Sequence, residues 1–320
     1  MKRQLRNLIA GACRCSGLLA LAERCCASEL TILCYHRVLP IEMKRAYPMP
    51  DLVVTPEAFR RHCEVLREHF DVLPITEALS AARAKGSVTR PIAVITFDDG
   101  YWDNHAYAAS VLNDCGLLAT FYVVSSVVGT HKLLWHDIAA RQGAEMVREL
   151  KRQEPEKRRK QIGHLAERLE TLDPQTGSDD RLMSWTEVRE LIDAGHEIGA
   201  HTRTHELLPQ LDDDCLQSEV IDCKVELEEK VGRTVPAFCY PNGDHDGRVC
   251  RVVSRAGFTS AVTMKPGTNS ALADAFRLQR WFIHEDRLTG WNDANSAALL
   301  RMELCGLSQD LFRRGDGGGA

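Results

Sequence analysis

Two adjacent carboxylates directly follow a predicted buried strand. Asp98 and Asp99 come after the apolar run Ile92–Phe97, and Gly100 follows them. Neighbouring side chains on an extended chain point in different directions, so the two aspartates suit two separate roles better than a paired glycosidase site. A turn that caps the next helix would explain the same string without any chemistry.

Two histidines follow a second predicted strand. His201 and His205 belong to the string His201-Thr202-Arg203-Thr204-His205, directly after Glu197–Ala200. Imidazoles four residues apart can face one metal ion, although structural histidines also occur at this spacing. Together with one aspartate they form a three-ligand open site. Such a site suits catalytic zinc and leaves the other aspartate as a general base.

A third string, Tyr240-Pro241-Asn242-Gly243, ends another predicted strand. Pro241 has no backbone N–H, whereas the amides of Asn242 and Gly243 can stabilise an oxyanion. An ordinary Pro-Asn-Gly turn has the same composition. All three strings come from strand ends, as a site at the mouth of a barrel requires. Their convergence predicts a metal-assisted hydrolase.

The elements that must position these strings alternate between strands and helices. Such alternation predicts an α/β fold in which helices cover a parallel sheet, either open or closed into a barrel. Ser184 followed by Glu187 predicts a capping box, and Gly195 predicts the end of that helix. The predicted strands span 31–35, 92–97, 120–124, 197–200, 237–240, 259–263 and 280–283, and the predicted helices span 57–69, 104–115, 185–194, 212–231 and 248–256.

The composition of the 320-residue chain is that of a globular protein, with 44% hydrophobic residues and a net charge of -5. This slight acidity argues against nucleic acid as a partner, because phosphate binding needs a concentrated basic surface. The 12 cysteines include no pair of CxxC knuckles, so their spacing excludes a zinc ribbon. We expect buried free thiols in a reducing compartment.

The N-terminal residues 1–24 combine basic and apolar side chains. Three interpretations stay open: an amphipathic helix that docks on the protein or on a membrane surface, an export signal, and a frayed tail. Arg14 interrupts the apolar stretch. Together with the cysteines, this favours the cytoplasm or the inner face of the membrane over export. We expect the Gly-rich residues 313–320 to be disordered.

A strongly charged segment, 141–180, breaks the alternation and contains no strand-like run. We expect a helical insertion at about 136–182. Its charges form a solvated face in one interpretation. In the other, the insertion is a cap over the substrate end of the barrel, where insertions shape specificity.

At these residues the chain resembles the polysaccharide deacetylase family, which is also called carbohydrate esterase family 4 and includes the nodulation-type chitooligosaccharide deacetylases. Residues 96–100 match its first motif and 201–205 its second, and 240–243 resemble a variant of the third motif seen in many bacterial members. Weaker similarity at 35–38, 119–123 and 182–185 extends the resemblance over 30–285.

The resemblance implies a distorted (β/α)7 barrel that removes N-acetyl, or occasionally O-acetyl, groups from glycans or glycolipids. Carried over by position, Asp98 is the catalytic base, whereas Asp99, His201 and His205 hold a divalent metal, usually Zn²⁺. The metal polarises the acetyl carbonyl and Asp98 deprotonates the attacking water. The amide of Asn242 then helps to stabilise the oxyanion.

The sequence pattern and the resemblance together predict the organisation of the chain. Residues 1–29 form a basic amphipathic segment, 30–290 form the barrel with its insertion, and 291–320 form a C-terminal helix and tail. We expect substrate contacts from Tyr240, Pro241 and Trp102. The oligomeric state stays open.

Two departures from the family pattern concern the catalytic machinery. Many members have an arginine in the third motif that orients the base, but Cys239 or Tyr240 stands there in this chain. The late Leu-x-His segment that usually supplies the acid is not recognisable. Arg280 could orient the base and His284 could be the acid, because both flank the final strand. His284 is otherwise a solvent-facing residue at the strand end.

These departures keep other functions open. His36, at the end of the first predicted strand, either lines the pocket or makes a structural hydrogen bond. A catalytically impaired glycan-binding module would keep the barrel and the metal. Two histidines and one carboxylate also suit iron(II) in a non-haem oxygenase. A carbohydrate deacetylase, which hydrolyses carbon–nitrogen bonds other than peptide bonds, is the leading hypothesis.

Overall fold

The computed structural model describes residues 2–26, 29–84, 90–172 and 180–308. The strands are β1 (Leu30–Tyr35), β2 (Arg37–Val38), β3 (Val53–Val54), β4 (Asp71–Val72), β5 (Ile92–Phe97), β6 (Thr120–Val123), β7 (Glu197–Ala200), β8 (Ala237–Cys239), β9 (Ser260–Val262) and β10 (Trp281–Phe282). The helices are α1 (Lys2–Cys15), α2 (Leu18–Cys26), α3 (Ile41–Ala46), α4 (Pro56–His69), α5 (Ile75–Arg83), α6 (Ser110–Cys115), α7 (Trp135–Ala140), α8 (Ala144–Lys151), α9 (Pro155–Leu172), α10 (Trp185–Asp193), α11 (Asp213–Gln217), α12 (Cys223–Val231), α13 (Gly247–Arg255), α14 (Glu285–Leu288) and α15 (Asp293–Leu304).

The main sheet is parallel and curls on itself, with seven strands in the order β10-β1-β5-β6-β7-β8-β9. β4 pairs with the first residues of β5, and β2 and β3 form a separate parallel pair. Close to β10, Leu278 bridges to Val262 of β9, and its carbonyl accepts a hydrogen bond from the amide of Thr263 at 2.8 Å. The predicted distorted (β/α)7 barrel is therefore confirmed as the fold class.

Side chains alternate between the interior of the barrel and the surrounding helices, as the two-residue period of a strand requires. On β5, Ile92 and Val94 belong to the interior cluster, whereas Ile95 and Phe97 pack in the cluster that includes the helices. By the same alternation, Asp98, the first residue after the strand, also faces the interior. The register of β5 therefore directs this carboxylate into the carboxyl-terminal mouth of the barrel.

The predicted local elements match the structure closely, with bounds that differ by one or two residues. The capping box is confirmed, because Ser184 accepts from the amide of Glu187 while the Glu187 side chain accepts from the Ser184 amide. Two predicted helices, 104–115 and 212–231, instead contain π-helical turns at Asn104–Ala109 and Ser218–Asp222. The short strands β2, β3 and β4 were not predicted, because two residues are too few to show a period.

The charged insertion folds as α7, α8 and α9. Arg158 of α9 lies buried, with Nη2 donating to Glu206 Oε2 at 2.5 Å. Its guanidinium also lies 5.5 Å from the centre of the Trp135 ring. Arg158, one residue of the basic run 157–160, is thus buried and links the insertion to the loop after β7.

The N-terminal helices pack against the C-terminal helix α15. Asn295 Nδ2 donates to Asn7 Oδ1 of α1 at 3.2 Å, and Arg301 forms a two-point ion pair with Glu23 of α2. Among the described helices, none is both long and apolar enough to cross a membrane. The predicted disordered tail, 313–320, lies outside the described residues.

Eleven cysteines have side chains that the structure describes, and all eleven are free thiols. Cys34 and Cys239 lie in the barrel interior next to Asp98. Cys15 and Cys25, in contrast, are exposed on the N-terminal helices.

Candidate active site

Asp98 and Arg280 form a buried ion pair at the mouth of the barrel. Arg280 Nη1 donates to Asp98 Oδ1 and Nη2 donates to Oδ2, each at 2.7 Å, and the two residues are 2% and 1% exposed. Burial alone would raise the pKa of Asp98, but the guanidinium outweighs it and holds that pKa well below its ordinary value. Asp98 is therefore an ionised carboxylate with a fixed orientation.

Arg280 makes the contact with Asp98 that the resemblance leads one to expect from an arginine in the third motif. Its Nε donates to the carbonyl of Thr263 at 2.9 Å, and its Nη1 donates to Thr96 Oγ1 at 3.0 Å. Cys239 Sγ lies 3.3 Å from Nη2. The small thiol of Cys239 leaves room for a guanidinium that arrives from the neighbourhood of β10.

Asp99, His201 and His205 converge on one point beside this ion pair. Asp99 Oδ1 lies 3.3 Å from His201 Nε2 and 3.2 Å from His205 Nε2. His201 Nδ1 lies 2.8 Å from the carbonyl of Cys239. Because Nδ1 donates that hydrogen bond, the lone pair of Nε2 is directed toward Asp99.

This donor set fits a divalent metal. One ligand atom from each of Asp99, His201 and His205 lies within 4.8 Å of the others. Asp99 Oδ1 is buried and has no hydrogen-bond partner among the residues that the structure describes. A buried carboxylate oxygen without a donor is costly, and two imidazoles with one carboxylate are ligands that zinc prefers.

The backbone around these ligands is strained. Asp99, Thr202, His205 and Asn242 have φ values of 75°, 64°, 63° and 58°, and they are the non-glycine residues with positive φ in the described part of the chain. Each such residue costs of order 1–3 kcal/mol unless its surroundings compensate, and strain of this kind clusters at functional sites. Gly100 has a φ of 80°, and a Cβ there would lie 3.0 Å from Val123 Cγ1.

These groups open into a cavity of about 270 Å³. The insertion forms one wall through α7 and α8, as the cap interpretation expects, and Lys151 Nζ donates to Asn242 Oδ1 across the cavity. The lining residues are His36, Met49, Leu52, Asp98, Asp99, Trp135, His136, Val147, Lys151, His201, His205, Asn242, Met264 and Phe282.

Two further imidazoles border the metal-ligand cluster. His36 lines the cavity with Nε2 4.0 Å from Asp98 Oδ2, and burial lowers its pKa. His136 Nε2 lies 3.0 Å from Tyr101 Oη, and burial lowers its pKa to about 3. His136 is therefore neutral and hydrogen-bonded at neutral pH.

The structure does not bring every predicted residue to the cavity. Tyr240 points to the outer side of β8, where its hydroxyl donates to the Phe276 carbonyl at 3.0 Å. The ring of Trp102 packs at an edge against Tyr107. His284 lies at the N-cap of α14, outside the cavity lining. Pro241 is buried and also lies outside the lining.

Sequence reasoning missed Cys34, Trp135, His136, Lys151 and Met264. A signal existed for Cys34: the strand alternation places it on the interior side with His36, and Cys34 Sγ lies 3.5 Å from Asp98 Oδ2. The other four lie on loops and on the insertion. Their local sequence does not reveal which part of the barrel they cover.

Known proteins resemble this chain over much of its length. A family model described as polysaccharide deacetylase matches residues 85–261, which is more than half of the chain. This chain belongs to the polysaccharide deacetylase family. The YxkH protein of Bacillus subtilis (strain 168), which is named as a polysaccharide deacetylase, is 23% identical over 254 residues, covering 79% of this chain and 71% of YxkH.

Solved structures of other proteins share the fold. The deacetylase PplD of Streptococcus pyogenes has a TM-score of 0.60 at 19% identity, covering 82% of this chain and 95% of PplD. IcaB of Ammonifex degensii has a TM-score of 0.59 at 18% identity, covering 85% of this chain and 97% of IcaB. At these identities the likeness supports the barrel alone.

Proposed function

We propose that this polysaccharide deacetylase family member is a metal-dependent carbohydrate deacetylase. Its substrate is an N-acetylated sugar of a cell-envelope or exported glycan, or of its precursor, and O-acetyl groups are a secondary substrate class. One observation carries the proposal. The ion pair of Asp98 with Arg280 lies directly beside the convergent Asp99, His201 and His205, and the cavity reaches both.

Asp99, His201 and His205 would hold the metal. Zn²⁺, the expected ion, would polarise the acetyl carbonyl and make water a better nucleophile when bound there. The hydrogen bond from His201 to the Cys239 carbonyl keeps Nε2 available as a ligand.

Asp98 accepts the proton of the attacking water. Each carboxylate oxygen has two lone pairs, so the bonds from Arg280 leave acceptor capacity on both oxygens. Arg280 prevents the carboxylate from rotating and keeps it ionised. The water oxygen then bonds to the carbonyl carbon, and an oxyanion develops toward the Asn242 turn that borders the cavity.

The proton that Asp98 takes from the water passes to Nε2 of His36, and His36 delivers it to the leaving sugar nitrogen as the carbon–nitrogen bond breaks. It lines the cavity 4.0 Å from Asp98, on the same side as the base. His136 Nε2 is engaged by Tyr101 Oη at 3.0 Å. His284 lies outside the cavity lining. We therefore propose His36, rather than His284, as the acid.

The relatives support the chemistry without identifying the substrate. PplD was solved in complex with acetate, and acetate is the product that this reaction releases. A neighbour from Aggregatibacter actinomycetemcomitans, with a TM-score of 0.58, is described as a de-N-acetylase. Removal of an acetyl group is the reaction common to these descriptions.

An acetate-release screen tests the proposal. Zinc-loaded protein is incubated with N-acetylglucosamine oligomers and with acetylated cell-envelope glycans, and free acetate is measured. We expect release from at least one N-acetylated glycan and its loss after chelation of the metal. Glycan binding without acetate release on any substrate would instead support a binding module.

A further inference from the structure

Most of the exposed large apolar side chains that the structure describes belong to the N-terminal helices or adjoin them. Nine large apolar side chains are exposed among the described residues, and four of them belong to α1 and α2. A fifth, Trp291, adjoins α1, because its amide donates to Asn7 Oδ1 at 2.7 Å. We call this set the N-terminal apolar surface: Leu5, Leu8, Leu18, Leu21 and Trp291, which are 55%, 60%, 44%, 59% and 57% exposed.

Helical periodicity places these leucines on outward faces. On α1, Leu5 and Leu8 are exposed, whereas Ala10 and Cys13 are buried against the protein. Residues three apart lie on the same helix face. The outward stripe of α1 is thus apolar, although its inward face already packs on the protein core.

α2 repeats this arrangement. Leu18 and Leu21 are exposed, three residues apart, while Leu19 is buried. The ion pair of Glu23 with Arg301 fixes α2 on α15, and α1 packs on the same helix. Since both helices rest on α15, their exposed leucines point away from it.

The charge of this segment is opposite to that of the remaining chain. Residues 2–26 contain five basic residues and one acidic residue, Glu23, which is paired with Arg301. Their net charge is +4 in a chain of net charge -5, so the remainder carries -9. Arg14 is exposed next to the leucines. A segment of net positive charge that carries an exposed apolar helical stripe matches an anionic lipid surface.

Trp291 adds an interfacial side chain at the edge of this surface. Tryptophan combines a large apolar ring with an N–H donor, so it prefers the boundary between hydrocarbon and water. Its exposed position beside α1 matches that preference.

We propose that the N-terminal apolar surface docks the protein on an anionic phospholipid bilayer. The leucines and Trp291 enter the boundary between headgroups and acyl chains, and the positive charge of the segment attracts the lipid phosphates. A second copy of the chain fits less well, because a twofold interface would oppose two segments of net charge +4. The proposal is independent of the proposed activity.

Vesicle flotation of the full-length protein tests this docking. Vesicles containing phosphatidylglycerol are compared with pure phosphatidylcholine vesicles, at low and at physiological salt. We expect binding to the anionic vesicles, with an affinity that falls as salt rises. The double variant Leu8→Glu with Leu21→Glu should bind about tenfold or more weakly.

A matched control separates the surface from general effects of added charge. Val225→Glu introduces a carboxylate at an apolar side chain of α12 that is 50% exposed, and it should bind like the unaltered protein. All variants should keep their acetate release from soluble oligomers, so failure of docking is distinguishable from failure of the activity.

Two results would overturn the proposal. One is absence of binding to anionic vesicles by the unaltered, folded protein at either salt concentration. The other is a dimer, seen by light scattering, that the Leu8→Glu and Leu21→Glu pair dissociates. That second result would show that the surface joins copies of the chain instead.

Discussion

Arg280 holds both carboxylate oxygens of Asp98 at 2.7 Å across 182 residues of sequence. Both side chains are buried, so the guanidinium compensates a charge that the barrel interior would otherwise disfavour. The protonation state and orientation of Asp98 thus depend on a residue that lies outside the recognised motifs.

Replacing Arg280 should shift the pH dependence of the reaction. In Arg280→Gln the pKa of Asp98 rises, because burial is no longer opposed by a cation. The acidic limb of the kcat/KM profile should therefore move to higher pH, and activity at neutral pH should fall roughly 100-fold. Arg277→Gln, at a half-exposed ion pair with Asp274, is the control. An unchanged acidic limb would exclude the orienting role of Arg280.

Removing a proposed metal ligand should lower metal binding while the protein stays folded. Asp99→Ala and His201→Ala should each lower zinc stoichiometry after dialysis, because one of three protein ligands is lost. Elemental analysis of the purified variants measures the bound metal, and circular dichroism checks folding. Full zinc occupancy in both variants would contradict the assigned donor set.

Replacing His36 should lower kcat most for substrates whose leaving group must be protonated. His36→Gln should lower kcat for an N-acetylated oligomer about 100-fold, but much less for an aryl acetate, whose phenolate leaves without protonation. His284→Gln should leave both rates close to those of the unaltered enzyme. Equal loss on both substrates in His36→Gln would indicate a positioning role instead.

Lys151 should influence substrate binding through the cap. Its ammonium borders the cavity and donates to Asn242 Oδ1. Lys151→Met should raise KM about tenfold with a smaller change in kcat. Lys157→Met, at an exposed position of α9, is the matched control. If both variants behave alike, the wall formed by α8 has no part in substrate binding.

His196 should contribute to acid sensitivity. Burial lowers its pKa from 6.5 to about 4, and its Nδ1 accepts from the Ala119 amide. Between pH 4 and pH 6.5, His196 is protonated in the unfolded state but neutral in the folded state. The stability that neutral His196 contributes is therefore fully present above pH 6.5 and is lost as pH falls toward 4. The loss for this residue is roughly 3 kcal/mol.

Urea unfolding at several pH values measures this contribution. His196→Asn keeps an acceptor for the Ala119 amide but cannot be protonated in this range. Its free energy of unfolding should fall less steeply with acid than that of the unaltered protein. Parallel curves for the two proteins would show that His196 does not carry the effect.

Much of the fold and the central site could be predicted from the sequence, because each motif follows a buried strand. The alternation on β5 directs Asp98 inward, and parallel strands bring their carboxyl ends to one mouth. Asp99, His201 and His205, which all follow such strands, are therefore brought together at that mouth. Local periodicity and barrel geometry suffice for that part.

The remaining features depend on contacts that local patterns do not encode. Tyr240 was expected at the substrate, but the alternation on β8 places Cys239 inward and Tyr240 outward. Lys151 reaches the cavity only because the insertion is anchored by Arg158 and Glu206. Such placement results from tertiary packing between segments distant in sequence.

The most direct test of the account is acetate release by Asp98→Asn under conditions where zinc content is measured on the same sample. The side chain keeps its shape but loses its basicity, and it is not one of the assigned ligands. We predict full zinc occupancy together with a loss of turnover of about 1,000-fold or more on an N-acetylated glycan that the unaltered enzyme hydrolyses. Turnover close to that of the unaltered enzyme, with zinc bound, would contradict the role of Asp98 as the base.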